Sequence, residues 1–145
     1  MDFLYKSLET LHGVLGVLWI IMIVWFLSAV RAYGSIPDDA HAIRLRVSGI
    51  GIRALGGLAI VMGIILAATI KSLGSSFNFD SMAGIFLSVG IIFAVISYVY
   101  INEGKVMRMV KGMTKELYPS LLKWTYFELL FAFLTIVFMV IGAQI

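Results

Sequence analysis

The stretch that decides the fold is 11–30, LHGVLGVLWIIMIVWFLSAV, which contains no Asp, Glu, Lys or Arg. About 20 apolar residues in a helix are enough to cross a hydrocarbon core of about 30 Å. Three further apolar runs, 54–70, 82–101 and 127–145, are of comparable length. We therefore predict an all-α, integral membrane four-helix bundle that forms a single domain, 1–145. The predicted spans are approximately 10–31, 50–71, 81–102 and 122–144.

The composition agrees with a chain whose solvent is lipid. Hydrophobic residues make up 61% of the sequence and charged residues 13%, and the mean hydropathy is +1.04. A soluble domain of this size could not bury so much apolar surface. The net charge of +3 is small, so we expect no nucleic acid binding. The absence of Cys excludes disulfides and thiolate metal sites, and no soluble-enzyme motif such as HExxH or GxGxxG is present.

The distribution of Lys and Arg predicts the orientation of the bundle. Nine of the eleven basic residues flank the first and third connections. They are Arg31, Arg44, Arg46, Arg53, Lys105, Arg108, Lys111, Lys115 and Lys123. By the positive-inside rule, both connections face the cytoplasm of a cell membrane and both termini lie outside. We expect these basic segments to contact anionic lipid head groups, with an acidic partner subunit as the alternative.

Both cytoplasmic connections are predicted to continue as helix. Asp38 and Asp39 follow Pro37 and precede a helix-forming run, so one of them is expected to cap a helix that continues into the second span. The third span is expected to extend inward through Glu103 to about Met113.

A seam of small residues marks the second helix. Gly49, Gly56 and Gly63 recur every seven residues, with small residues between them on the same face. Small residues allow close approach of helices in lipid, so this face predicts helix packing. Arg53 lies on the seam, and Glu128 in helix four lies at the same predicted depth, 17 residues from the outer end of its span. Because a charge in a membrane needs a partner, we predict a buried Arg53–Glu128 ion pair, with snorkelling of Arg53 as the alternative.

The only histidine within a span is His12, near the predicted outer end of helix one. Spacings of four and seven residues place His12, Gly16 and Trp19 on one helical face. Glycines at 13 and 16 leave room beside the imidazole for a flat group, and a neutral imidazole is a common ligand of haem iron. A hydrogen-bonded packing role for His12 is the alternative.

This first helix resembles that of small membrane proteins related to the CopD copper-resistance domain and to HemJ-type protoporphyrinogen oxidases. The likeness is Leu11-His12, followed by apolar and small residues up to Trp19, in the first of four spans. In HemJ-like proteins the first-helix histidine is associated with b-type haem, and the resemblance implies that role for His12. HemJ-like proteins also use a lysine in a later helix. The outer-side candidate here is Lys71, in a different context, so the sequence leaves enzyme activity open.

A second axial ligand is less well defined. His41 belongs to the cytoplasmic connection, a membrane thickness away from His12, so these two residues cannot form a bis-histidine site in one chain. Met82 lies at similar depth to His12 and is our preferred candidate, with Lys71, water or another subunit as alternatives. Met107, Met109 and Met113 could in principle bind Cu(I), but basic neighbours favour a packing role for them.

Two classes of function follow from these residues. The first is a CopD- or HemJ-like membrane protein that binds b-type haem near the outer face and acts in redox or haem and metal handling. The second is a noncatalytic structural subunit or assembly factor of a larger membrane complex, or a homo-oligomer, which the small size and short connections favour. A small transporter ranks third, because only Arg53 and Glu128 favour it.

Overall fold

A computed structural model describes residues 2–72 and 81–144, and all regular secondary structure in that part of the chain is helical. The helices are α1 (Asp2–Ser35), α2 (Asp39–Ser72), α3 (Met82–Val95), α4 (Met107–Lys111) and α5 (Tyr118–Gln144). A π-helical segment, Ile96–Val106, joins α3 to α4, and a 3₁₀ turn, Lys115–Leu117, precedes α5. The predicted outer connection between the second and third spans falls largely on 73–80, which lie outside the described residues.

Among the described residues, four helical stretches are long and apolar enough to cross a membrane. They are Phe3–Ser35, Asp39–Leu66, Met82–Lys111 and Lys115–Gln144. The all-helical fold and the four candidate spans are therefore confirmed, and the arrangement is consistent with a four-helix bundle of a multi-pass membrane protein. The helical extension of the third span through Glu103 is also confirmed, because helix continues through the π segment to Lys111.

The start of α2 is fixed by Asp38, as the sequence predicts. The backbone N–H of His41 donates to Asp38 Oδ1 at 2.8 Å, and Nδ1 of the same histidine lies 2.6 Å from that oxygen. The backbone hydrogen bond, followed by the side-chain bond, holds the pKa of Asp38 below its usual range. The resulting negative charge complements the positive end of the helix dipole.

The glycine seam of α2 packs against large rings of α1 in antiparallel register. A Cβ at Gly63 would lie 3.0 Å from Cε1 of His12, and one at Gly56 would lie 3.1 Å from Nε1 of Trp19. Further along, Gly49 faces the ring of Phe26 at 3.8 Å. The rings at 12, 19 and 26 recur every seven residues, as the glycines do. His12 is the nearest group at Gly63, whereas Tyr98 at Gly56 and Met107 at Gly49 lie closer than the α1 ring. The predicted packing seam is confirmed.

The buried core lies in the half of the bundle that contains the connection between α1 and α2. No side chain is buried between Phe3 and Leu18 of α1, whereas Trp19, Tyr33 and four residues between them form its buried face. Outside α1, the fully buried apolar side chains include Leu45 and Ile52 of α2, Ile101 of the π segment and Leu121 of α5. All four candidate spans therefore meet at the level of the π segment.

The seam yields a test at Gly56. A Cβ there would lie 2.5 Å from two ring atoms of Tyr98, whose hydroxyl is itself held by the Arg53 carbonyl. Gly56→Ala should therefore lower the free energy of unfolding by about 1–3 kcal/mol, measured by denaturation in mixed detergent micelles. Gly16→Ala is the matched control, because nothing lies within 4 Å of its Cβ position, and it should be neutral or gain up to about 1 kcal/mol. Equal stability of the two variants would contradict the assigned packing.

Candidate functional site

The π segment gives the third span two polar faces. Its end is marked by the backbone N–H of Met107, which donates to the carbonyl of Asn102, five residues earlier. Bonds between residues five apart bring side chains at i and i+5 to the same side, unlike the three- or four-residue spacing of an α-helix. Ser97 and Asn102 accordingly face α5, while Tyr98 and Glu103 face α2.

The face toward α5 is a fully buried polar cluster centred on Glu128. Nδ2 of Asn102 donates to Oε1 of Glu128 at 2.7 Å, and the hydroxyl of Ser97 donates to the Glu128 carbonyl at 2.9 Å. All three residues have no exposed surface. One helical turn earlier, Thr125 is also buried, but its hydroxyl donates within α5 to Leu121. Asn102 is therefore the side chain that binds the Glu128 carboxyl group.

Two oxygens of this cluster have no hydrogen-bond partner among the described residues: Oε2 of Glu128 and Oδ1 of Asn102. Both are acceptors when Glu128 is ionised, so they cannot bind each other in that state. Buried polar atoms are nearly always satisfied in native proteins, and an unsatisfied pair points to a bound group or proton.

The opposite face of the π segment holds an ion pair with α2. Nε of Arg53 lies 2.7 Å from Oε1 of Glu103, and the two side chains are 47% and 33% exposed. The hydroxyl of Tyr98 donates to the Arg53 carbonyl at 2.8 Å. These two contacts fix the middle of α2 against the third span.

The structure does not form the predicted Arg53–Glu128 ion pair. Arg53 pairs with Glu103 instead, and Glu128 is bound by Asn102. Equal depth concerns only the position of Arg53 along the helix axis, whereas pairing also depends on the direction of its side chain around the axis. The side chain of Arg53 is about half exposed and points to a cleft rather than into the buried core.

Sequence reasoning missed Asn102 and Ser97 as members of the buried cluster. Asn102 immediately follows the apolar run 82–101, and an amide is a donor that a buried carboxyl group can use. That signal was present, but the α-helical spacing assumed for the third span does not place Ser97 and Asn102 on one face.

A cleft of about 660 Å³ opens beside the Arg53–Glu103 pair. Its charged lining is mostly basic and comprises Arg53, Glu103, Lys105, Arg108 and Lys111. The ammonium group of Lys105 lies 5.6 Å from the ring centre of Tyr100 and 5.4 Å from that of Trp124. A cation over aromatic faces is held in place, so the basic lining is partly ordered.

His12 lies between α1 and α2 and forms a defined hydrogen bond. Its Nδ1 is 2.9 Å from the backbone carbonyl of Ala59, and its ring packs on Gly63. Because a carbonyl only accepts, Nδ1 carries the hydrogen and Nε2 carries the lone pair in the neutral imidazole. Trp19 is 5% exposed and packs at Gly56, and its Nε1 has no acceptor among the described residues.

The remaining candidate ligands are not brought together with His12. Met82 is 59% exposed at the start of α3, a helix that packs mainly on α5, whereas α1 packs mainly on α2. The side chain of Lys71 lies outside the described residues, and His41 is bound to Asp38. Within 2–72 and 81–144, no three His, Cys, Asp or Glu residues form a metal-binding group. Axial ligation by Met82 stays a prediction.

The three methionines at the end of the third span pack against the core. Met107 is 6% exposed, with its thioether against Gly49, and Met109 and Met113 are partly buried on the hydrophobic cluster. The packing interpretation is therefore favoured over a Cu(I) site.

The buried cluster yields a double-mutant test. Asn102→Leu or Glu128→Leu alone should each lower the free energy of unfolding by about 1–3 kcal/mol, because each leaves a buried polar group without its partner. The double variant should cost less than the sum of the single variants, since both polar groups are removed. Arg53→Gln, which breaks the half-exposed ion pair, should cost only about 0–1 kcal/mol. Additive costs at 102 and 128 would contradict a direct contact.

No family model, curated protein or solved structure matches the chain. The relationship to CopD- and HemJ-type proteins therefore stays a prediction that rests on the first helix.

Proposed function

We propose that this multi-pass membrane protein binds b-type haem through His12 and acts in redox or haem and metal handling, as the first-helix resemblance implies. The observation that carries the proposal is the hydrogen bond from Nδ1 of His12 to the Ala59 carbonyl. Histidines that bind metals commonly donate their other ring N–H to a carbonyl or carboxylate, which fixes the tautomer and orients the ring. Here that bond leaves Nε2 as the nitrogen available for ligation.

The surroundings of His12 fit a flat group on one side of α1. Positions for a Cβ at Gly13 and at Gly16 have no other atom within 4 Å, so the helix surface next to the imidazole is open. His12 would hold the iron through Nε2. Trp19 lies on the same face of α1 and would pack beside the bound group. His12 would supply one protein ligand, and a second would come from Met82, Lys71, water or a second chain. Haem bound there would supply one-electron chemistry.

The test is an absorption spectrum of the detergent-solubilised full chain, expressed with a haem supply and recorded before and after dithionite. We expect a Soret band that shifts on reduction and is lost in His12→Ala. His41→Ala is the matched control, because that histidine binds Asp38 at the other end of the bundle, and it should retain the band. A chain without a Soret band, or a band unchanged in His12→Ala, would contradict the proposal.

We also propose that the basic cleft faces the cytoplasm of a cell membrane and binds anionic lipid head groups. The bias of Lys and Arg toward the first and third connections supports this orientation. The cleft supports the lipid chemistry, because apolar residues such as Val99 and Met107 line it together with the basic groups. A phosphate would meet the cations while the acyl chains continue along the apolar wall.

Lipid binding can be measured in vesicles that contain an anionic lipid. The double variant Arg108→Gln with Lys111→Gln should weaken the binding free energy of the anionic lipid by about 2 kcal/mol, because each basic residue at the surface contributes roughly 1 kcal/mol. Arg44→Gln with Arg46→Gln removes the same charge outside the cleft and should have a smaller effect. Equal losses in the two double variants would show that net charge alone attracts the lipid, and would contradict a site in the cleft.

A further inference from the structure

We propose that Glu128 and Asn102 form a proton-binding site inside the bundle, in which Oε2 of Glu128 carries a proton that it donates to Oδ1 of Asn102. The two side chains are already joined by the bond from Nδ2 to Oε1 at 2.7 Å. Their two remaining oxygens are the unpartnered ones. A single proton on Oε2 creates the missing donor and completes a two-point pair between a carboxylic acid and an amide.

Within 2–72 and 81–144, no cation is paired with the Glu128 carboxyl group. The ion pairs join His41 to Asp38 and Arg53 to Glu103, and the ammonium groups of Lys105 and Lys123 lie over the ring of Trp124. On the π segment, the nearby acid is Glu103, whose carboxylate is paired with Arg53 of α2. In sequence, α1 carries no Asp, Glu, Lys or Arg between Thr10 and Val30, and α3 carries none at all. An ionised Glu128 would be a charge without a counter-ion in a fully buried position. Such a charge is costly in a membrane. Binding of a proton removes the charge, so we assign the proton as the ligand of this site.

A bound metal ion fits this cluster less well than a proton. The hydroxyl of Ser97 is used as a donor to the Glu128 carbonyl, and that of Thr125 as a donor to Leu121. Among the described residues, the cluster therefore offers two unpartnered oxygens, whereas hard cations such as Ca²⁺ take six to eight oxygen ligands. The chemistry of the cluster is that of one proton shared between two oxygens.

The proton couples the third span to α5. In the protonated state, two hydrogen bonds join the side chains of Asn102 and Glu128. Loss of the proton from Oε2 breaks one bond, leaves two acceptor oxygens without a donor and places a negative charge in the apolar core. Release and uptake of a proton at this site therefore weaken and restore the contact between the π segment and α5. The inference is independent of haem binding at His12.

The test is infrared spectroscopy of the full chain in lipid bilayers at neutral pH, in water and in deuterated water. We expect a carbonyl stretching band of a protonated carboxylic acid that shifts in deuterated water and is absent in Glu128→Gln. Glu103→Gln is the matched control, because that glutamate belongs to the half-exposed ion pair, and it should retain the band. In Asn102→Leu the band should move toward the frequency of an acid without a hydrogen-bond acceptor.

Three results would overturn the proposal. They are the absence of the band in the wild-type chain, its persistence in Glu128→Gln, and its loss on addition of sodium at constant pH, which would identify a metal ion as the ligand. Carbon-13 labelling of the glutamate carboxyl groups reads the protonation state in the wild-type chain by its chemical shift. The test therefore does not depend on the folding of a variant.

Discussion

The bond between Asn102 and Glu128 is the contact on which the rest of the arrangement depends. A carboxyl group in the interior of a membrane bundle has no water to bind, so its partner must come from a neighbouring helix. Asn102 meets that requirement from the π segment, and the hydroxyl of Ser97 adds a second link to the same residue of α5. The position of the third span against α5 follows from these two hydrogen bonds.

The spacing of side chains in the π segment also positions the third span against α2. With side chains five residues apart on one side, Tyr98 and Glu103 are directed to α2 while Ser97 and Asn102 are directed to α5. A regular α-helix would not separate the four side chains into these two pairs. The irregular segment thus joins two helical hairpins, and it does so at the level where the apolar core is most completely buried.

Hydropathy and spacing predicted the features that depend on one helix at a time. The four spans follow from apolar length, the cap at Asp38 follows from local chemistry, and the seam of Gly49, Gly56 and Gly63 follows from a seven-residue period. The partner of Arg53 was predicted wrongly, because its direction around the helix depends on the π register of another span. The segment 96–106 contains no proline that would indicate an irregular helix. It is visible only once the third span is packed against α2 and α5.

The central claim is that the π register places the Asn102 amide on the Glu128 carboxyl group. Solid-state NMR can measure this contact directly in bilayers, from the dipolar coupling between asparagine side-chain ¹⁵N and glutamate carboxyl ¹³C. Asn78→Gln removes the only other asparagine, and a Glu128→Gln sample provides the blank. The account predicts a coupling clearly above that of the blank, because Nδ2 lies 2.7 Å from Oε1, which is bonded to the labelled carboxyl carbon. A signal no stronger than that of the blank would contradict it.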